Sequence, residues 1–261
     1  MRYNNHHLGD FSSHFVTWKE MVIIMDFTRE FYLRASDFDK NARLSPRTIL
    51  ELFQDVAGNH AEEIGIGFDA LLSRDLLWVV ARTKFVIEKQ IKRYTTVKVK
   101  TWPLSPQRMI FRREYLIYDD KGEIAVRGSS DWMIVNSVTR TLASSGSIFP
   151  EGAEYLQELA LDEKLRKIKI IEGDITTSHV TPLYTDIDLN GHVNNTKYAD
   201  FAINAINPEN KEIASFQIDY HREVLIGESL NLTTVLNGNK AVVNGENEQG
   251  EKKFTCEIIF K

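Results

Sequence analysis

Asp186-Ile187-Asp188-Leu189-Asn190-Gly191-His192-Val193-Asn194-Asn195 packs two carboxylates, three amides and a histidine into ten residues. The run behind it, residues 196–206, has a helical period, with Tyr198, Phe201, Ala202 and Ala205 on one face. Asn194 or Asn195 is placed to cap this helix and Asn207-Pro208 to stop it. The pattern occurs earlier as well. Asp37-Phe38-Asp39-Lys40-Asn41-Ala42-Arg43-Leu44-Ser45 sets Asp37 against Asp186, Asp39 against Asp188, Asn41 against Asn190, Arg43 against His192 and Ser45 against Asn194. A helix is expected here too, over residues 46–64. Ser45 stands at the N-cap, Pro46 at the first helical position, and Ile49, Leu50, Phe53, Val56, Ala57 and Ile64 form the apolar stripe. Phe85, Glu88 and Ile91 weakly echo the spacing of Tyr220, Glu223 and Ile226. Repetition of a loop together with its helix points to an internal duplication, which bears on the fold before any other signal does. The copies differ where it matters chemically. Arginine stays protonated near neutral pH, whereas histidine can exchange a proton there, so the second copy is the one equipped for chemistry.

Outward from the two loops, each half reads as one helix followed by strands. Residues 27–35 alternate like a strand, and strand-like runs follow the first helix at 77–88, 95–101, 108–118 and 123–135. Asp119-Asp120-Lys121-Gly122 is a hairpin turn signal. In the second half the strand candidates are 177–183, 214–221, 229–236, 240–246 and 252–260, with turns at Asn237-Gly238 and Glu248-Gln249-Gly250. A long helix with an antiparallel sheet of about five strands, twice over, is an α+β pattern. Between the halves, residues 143–147 read as a loop and 151–170 as a charged segment, in which Leu156, Leu159, Leu161 and Leu165 form a weak helical stripe. The expected organisation is an N-terminal extension over 1–25, a first unit over 26–140, a linker over 141–176 and a second unit over 177–261. The extension mixes His, Asn and Ser with scattered aromatics, and residues 21–25 are apolar but too short for a signal-peptide core. It is expected to be disordered or loosely packed.

Composition narrows the function classes. The chain has 261 residues, 43% apolar and 26% charged, with a formal charge of −5, which argues against general nucleic-acid binding. One cysteine, Cys256, leaves no internal disulfide or cysteine metal cluster and suits a reducing, cytoplasmic setting. No apolar run approaches the roughly 20 residues that span a bilayer. Gly65-Ile66-Gly67-Phe68-Asp69-Ala70 fits a dinucleotide pattern, but it follows a helix and reads as that helix's C-terminal turn. There is no GxSxG nucleophile elbow, no P-loop and no metal-ligand spacing.

Several separate motifs, in order, make the chain similar to the acyl-acyl-carrier-protein thioesterase family, the plant fatty-acid chain terminators and their bacterial relatives. They are Leu77-Trp78-Val79-Val80-Ala81-Arg82, Thr101-Trp102-Pro103, Trp132-Met133-Ile134-Val135-Asn136 with Thr139-Arg140, the stretch from Asp186 to Tyr198, and Tyr220-His221-Arg222-Glu223. The resemblance runs from about Phe27 to the C-terminus. It implies a tandem hotdog fold, with two antiparallel sheets each wrapped round a long central helix, and one active site built mainly by the second half. The first half is then associated with acyl-chain specificity. The resemblance places the family's catalytic residues on Asp188, Asn190, His192 and Glu223, and implies neither cofactor nor metal. Plant members carry a cysteine directly after the glutamate. Val224 stands there in this chain, so a thiol route through that position is closed.

Thioester hydrolysis needs an activated water, a polarised carbonyl and a leaving thiolate. Glu223, His192 or the two sharing one water are the general-base candidates. The Asn190 amide is suited to hold the water or the thioester oxygen, and Asp188 to orient Asn190 or His192. Backbone N–H groups of Val193, Asn194 and Asn195 are the oxyanion candidates. Asp37, Asp39, Asn41 and Asp186 are read as turn formers. His60 and His179 are read as packing or surface residues, and His221 as facing away from Tyr220 by strand alternation. Trp78, Trp102, Phe111 and Trp132 are read mainly as core, with some lining an acyl tunnel. The implied partner is acyl carrier protein, which is acidic, so docking calls for a basic patch: Lys89, Lys92 and Arg93, or Lys164, Arg166, Lys167 and Lys169. Acyl-CoA as the substrate and a non-catalytic acyl-binding protein are the alternatives. Either a monomer or a homodimer is compatible with a duplicated chain.

Overall fold

A computed structural model describes residues 23–143 and 148–261. The readings made for residues 1–22 and 144–147 lie outside the described residues. Ile23–Ile24 (β1) pairs in parallel with Ala153–Glu154 (β7), and Met25 beside it is fully buried. The first half then runs Phe27–Tyr32 (β2), Pro46–Glu63 (α1), Phe68–Leu72 (α2), Leu76–Ile87 (β3), Thr96–Pro103 (β4), Phe111–Tyr118 (β5) and Ile124–Asn136 (β6). The second half runs Asp174–Val180 (β8), Lys197–Ile206 (α3), Ile213–Tyr220 (β9), Leu230–Asn237 (β10), Lys240–Asn247 (β11) and Lys252–Phe260 (β12).

The duplication is written in the topology. Read inward from its free edge, the first half has the strand order β2-β4-β5-β6-β3, and the second repeats it as β8-β10-β11-β12-β9. The two expected antiparallel sheets are both present, and they join edge to edge. Strands β3 and β9 pair antiparallel, so the halves fuse into one ten-stranded sheet among the described residues. The seam is held by Phe85 stacked on Phe216 at 5.3 Å and by Arg82 paired with Asp219 at 3.1 Å. The second central helix is also shorter than the first, 10 residues against 18.

Both helices lie across the sheet and touch each other, tied by Arg47 to Asp200 at 3.2 Å. The sequence fixes α1 locally. The Ser45 hydroxyl accepts the Thr48 amide, Pro46 occupies the first turn, and Gly65 turns the chain out at φ 74°. Its inner face buries Ile49, Leu50, Leu52, Phe53 and Val56. Phe53 stacks on Tyr115 at 4.2 Å and sits directly over Gly128, where an added Cβ would lie 2.2 Å from its ring. Truncating such a side chain costs about 3–5 kcal/mol. At the far end of α1, buried His60 meets buried Arg113, with Nδ1 3.0 Å from the guanidinium. Arginine only donates, so Nδ1 must accept. Burial, reinforced by the Arg113 charge, lowers the His60 pKa to about 4.

The linker overturns the helical reading of residues 151–170. Apart from β7 this segment is irregular, and it lies as a strap over the outer face of the sheet. Its backbone groups are satisfied by side chains from that face instead of by a helix. Buried Glu114 accepts the amides of Ala160 and Leu161, and Asp219 accepts that of Ile168. Trp102, Arg112 and Gln217 donate to the carbonyls of Glu158, Glu163 and Arg166. Every strap polar group met this way removes the need for helical pairing. Within the strap, Leu161 and Leu165 are buried, whereas Leu159 faces solvent.

Candidate active site

The two repeated loops share most of their hydrogen bonds, although Asp39 also accepts the Arg43 amide at 2.9 Å. Asp37 accepts the Arg34 amide at 2.6 Å, and Asp186 accepts that of Leu183 at 2.9 Å. Asp39 accepts the Asn41 amide and Asp188 that of Asn190, each at 2.8 Å. The Asp39 and Asp188 amides donate to the carbonyls of Arg43 and His192. Ala42 and Gly191 take the same left-handed position, at φ 60° and 80°. Short bridges, Phe38 to Leu44 and Ile187 to Val193, close the two loops. Asp188 therefore holds its turn as Asp39 does. Asp186 also pairs with Lys197 at 3.3 Å.

Beyond the loops the copies diverge. Asn194 does not cap α3. Its Oδ1 accepts the amide and hydroxyl of Thr196, both at 2.9 Å, and this turn moves the N-cap to Thr196. Asn207 in the left-handed conformation, followed by Pro208, ends the helix as expected. Arg43 is bound to structure. Its guanidinium donates to the carbonyls of Lys211 and Asn210 and pins the loop after α3. His192, at the matching place, points instead to Glu223, with Nε2 3.1 Å from Oε2. The other carboxylate oxygen, Oε1, lies 3.1 Å from Nη1 of Arg140. Glu223 is half exposed and His192 about one-fifth exposed.

The segment carrying Glu223 is fastened from beneath. Largely buried Lys253 donates to the Glu223 carbonyl at 3.2 Å and pairs with Glu228 at 2.6 Å. Glu228 also accepts the Leu225 amide and the Asn247 side chain. Burial alone would raise the Glu228 pKa, but these hydrogen bonds outweigh it and hold the carboxyl below its ordinary range. Tyr220 donates to the Asn195 carbonyl at 2.9 Å and ties β9 to the start of α3.

Of the residues singled out from sequence, His192 and Glu223 come together. Asp188 stays within its loop. Asn190 is exposed at the loop tip, and among the described residues its side chain has no hydrogen bond to either of them. Two oxyanion candidates need correction: the Val193 amide donates to the Val224 carbonyl and the Asn194 amide to that of Asp186, both at 2.8 Å. Among the three, that leaves Asn195. Val224 is fully buried, and Cys256 lies inside the sheet, where burial pushes its thiol well up. His221 turns away to Thr255 at 3.1 Å. In the sequence Arg140 stands out only as the end of the Trp132–Arg140 motif. Its link to Glu223 crosses 83 positions, so no local signal marks it.

A narrow cleft of about 20 Å³ adjoins this region. It runs from Asn195, Thr196 and Tyr220 between Leu50, Phe53 and Gln54 of α1 and the sheet residues Val80, Thr83, Tyr115 and Trp132. Trp102 lies on the opposite face, under the strap, with its indole donating to Glu158. Among the described residues, no helix is long and apolar enough to cross a membrane.

Comparison with known proteins agrees over nearly the whole described chain. Residues 25–147 match the model of the acyl-ACP thioesterase N-terminal domain, and residues 154–261 that of the C-terminal domain. A chloroplastic dodecanoyl-acyl-carrier-protein hydrolase of Cinnamomum camphora is 32% identical over 255 residues, 90% of this chain and 63% of that protein. The chain spans 52% to 63% of the length of the first curated relatives it matches. Among solved structures, an acyl-ACP thioesterase from Bacteroides thetaiotaomicron superposes with a TM-score of 0.81 at 24% identity. That match covers 90% of this chain and 98% of the other. A 12:0-ACP thioesterase from Umbellularia californica gives 0.77 at 26% identity, covering 90% and 97%.

Proposed function

The chain belongs to the acyl-ACP thioesterase family, and from that premise we propose that it hydrolyses the thioester of fatty acyl chains carried on acyl carrier protein. The observation that carries this reading is the Glu223 carboxylate, held between His192 and Arg140 next to the start of α3. A carboxylate offers about four lone-pair positions, and these two contacts leave room for a water. Glu223 is exposed enough to meet that water, whereas the His192 Nε2 already faces the carboxylate. We therefore assign Glu223 as the general base and His192 as the donor that fixes it.

In this mechanism the acyl chain lies in the cleft between α1 and the sheet, entering by separating the helix from the strands. Water attacks the carbonyl carbon as its proton passes to Glu223. The new C–O bond gives a tetrahedral oxyanion, which the Asn195 amide, without a partner among the described residues, and the positive end of α3 stabilise. Collapse breaks the C–S bond, and the carrier thiolate leaves with the proton from Glu223. The exposed Asn190 carboxamide meets the incoming thioester, and Asp188 keeps its loop in place. Docking of the acidic carrier falls to the strap, where Lys164, Arg166, Lys167 and Lys169 are all exposed. Lys89 of the other candidate patch is already paired with Asp119 and Glu123. A cytoplasmic setting fits the lone buried cysteine.

The test is free-thiol release by purified protein from a series of acyl chains, each offered on carrier protein and on coenzyme A. Preference for carrier protein supports the reading. Hydrolysis of coenzyme A esters alone would move the substrate class, and hydrolysis of neither would remove the enzyme assignment.

A further inference from the structure

Arg140 comes from the first half of the chain, yet its guanidinium holds the carboxylate proposed as the base in the second. Its Nη1 lies 3.1 Å from Oε1 of Glu223, and His192 Nε2 lies 3.1 Å from Oε2. One oxygen held would leave the carboxylate free to swing about its last torsion. Two oxygens held by donors from different elements fix its plane.

The loop presenting Arg140 is shaped for this task. Asn136, at the end of β6, accepts the amides of Val138 at 3.0 Å and Thr139 at 2.8 Å through its side chain, and the Thr139 hydroxyl at 3.1 Å. The Arg140 amide returns to the Asn136 carbonyl at 2.9 Å, and a bridge from Val135 to Leu142 closes the turn. Arg140 itself sits at φ 57°, the left-handed position that closes this short turn, as Arg108 does in the turn between β4 and β5. The same strand carries Trp132 in the wall of the cleft. Strand β6 and the turn behind it thus supply both a wall of the cleft and the Arg140 contact to Glu223.

We propose that Arg140 is a positioning residue for hydrolysis, supplied across the seam by the first half to orient Glu223. This rests on the reading of Glu223 as the base. Arg140 and Glu223 are each about half exposed, and exposed pairs add little to stability. The effect therefore belongs in turnover and not in folding.

Arg140→Ala should melt like the wild type and lower kcat about 10-fold with little change in KM, the low end for a hydrogen bond to a charged group in an exposed setting. Arg140→Lys should recover part of the loss, and added guanidinium ion should recover part of it in the Ala variant. In a Glu223→Gln background, Arg140→Ala should cost nothing further. Unchanged kcat, or an equal loss in both backgrounds, would overturn the proposal. Crystal structures of the Ala variant give a readout free of turnover. A Glu223 carboxylate that leaves His192 supports the proposal, and one that stays at 3.1 Å overturns it. If the wild type hydrolyses no thioester, the functional reading fails while this structural comparison still decides the role of Arg140.

Discussion

Lowering the pH from about 8 to about 5 should cost the folded chain ~2 kcal/mol through a single residue, His60. In the fold its Nδ1 accepts from Arg113, and among the described residues no carboxylate lies within ion-pair distance of that guanidinium. Protonation would set an N–H against an N–H in a site where His60 is only 2% exposed. Burial first, and the Arg113 charge second, bring its pKa from 6.5 to about 4. The folded value is depressed, so the neutral ring's contribution is complete above the unfolded value and is lost as pH falls toward the folded one. Below about pH 6.5 the unfolded chain takes up a proton that the folded chain refuses, and each pH unit then costs about 1.4 kcal/mol. Integrated to about pH 5, the loss is ~2 kcal/mol, or about 1 M in a urea midpoint at a slope of ~2 kcal/mol/M. His60→Gln keeps an oxygen acceptor for Arg113 and cannot titrate. Urea midpoints at the two pH values, compared between wild type and variant, isolate the residue from the carboxylates common to both. Equal pH dependence in the two proteins would refute the argument.

Other perturbations follow from the same contacts. Glu114→Ala strips the acceptor from Arg112 and from two strap amides at a fully buried site, and should cost about 3–5 kcal/mol, lowering Tm by about 10 °C. An unshifted melt would mean that the strap is not anchored there. Gly191→Ala should fold and lose only about 1 kcal/mol, because Ala42 holds the equivalent left-handed turn. A protein that fails to fold would contradict the equivalence of the loops. Asp188→Ala should lower kcat about 10-fold by releasing the Asn190 amide, while Asp188→Asn, which keeps an oxygen there, should recover most of it. Equal losses in both variants would give the Asp188 charge a part in the chemistry.

What could be read from the sequence was local. The repeated loops were legible because each is closed within about ten residues by its own aspartates, and the helices behind them because apolar spacing and caps act over one or two turns. The strands showed through alternation and turn residues such as Asp119, whose carboxylate accepts the Lys121 and Glu123 amides. Contacts across long stretches of chain were not legible. The strap looked helical because its leucines have roughly helical spacing, while the groups that pair its backbone, Glu114 and Asp219, lie 46 and 51 positions away. The Val193 amide looked free until Val224 was brought beside it. Arg140 reaches Glu223 only because the two halves of the sheet join at β3 and β9. The resemblance named His192 and Glu223, but their contact needed the folded chain.

The most direct measurement is thiol release from acyl carrier protein by the wild type and by Glu223→Gln in one assay. The amide keeps the size and one acceptor of the carboxylate and removes its basicity. General-base catalysis typically contributes about 10²–10⁴-fold, so turnover should fall by that factor while the variant melts like the wild type. Wild-type turnover by Glu223→Gln would contradict Glu223 as the base.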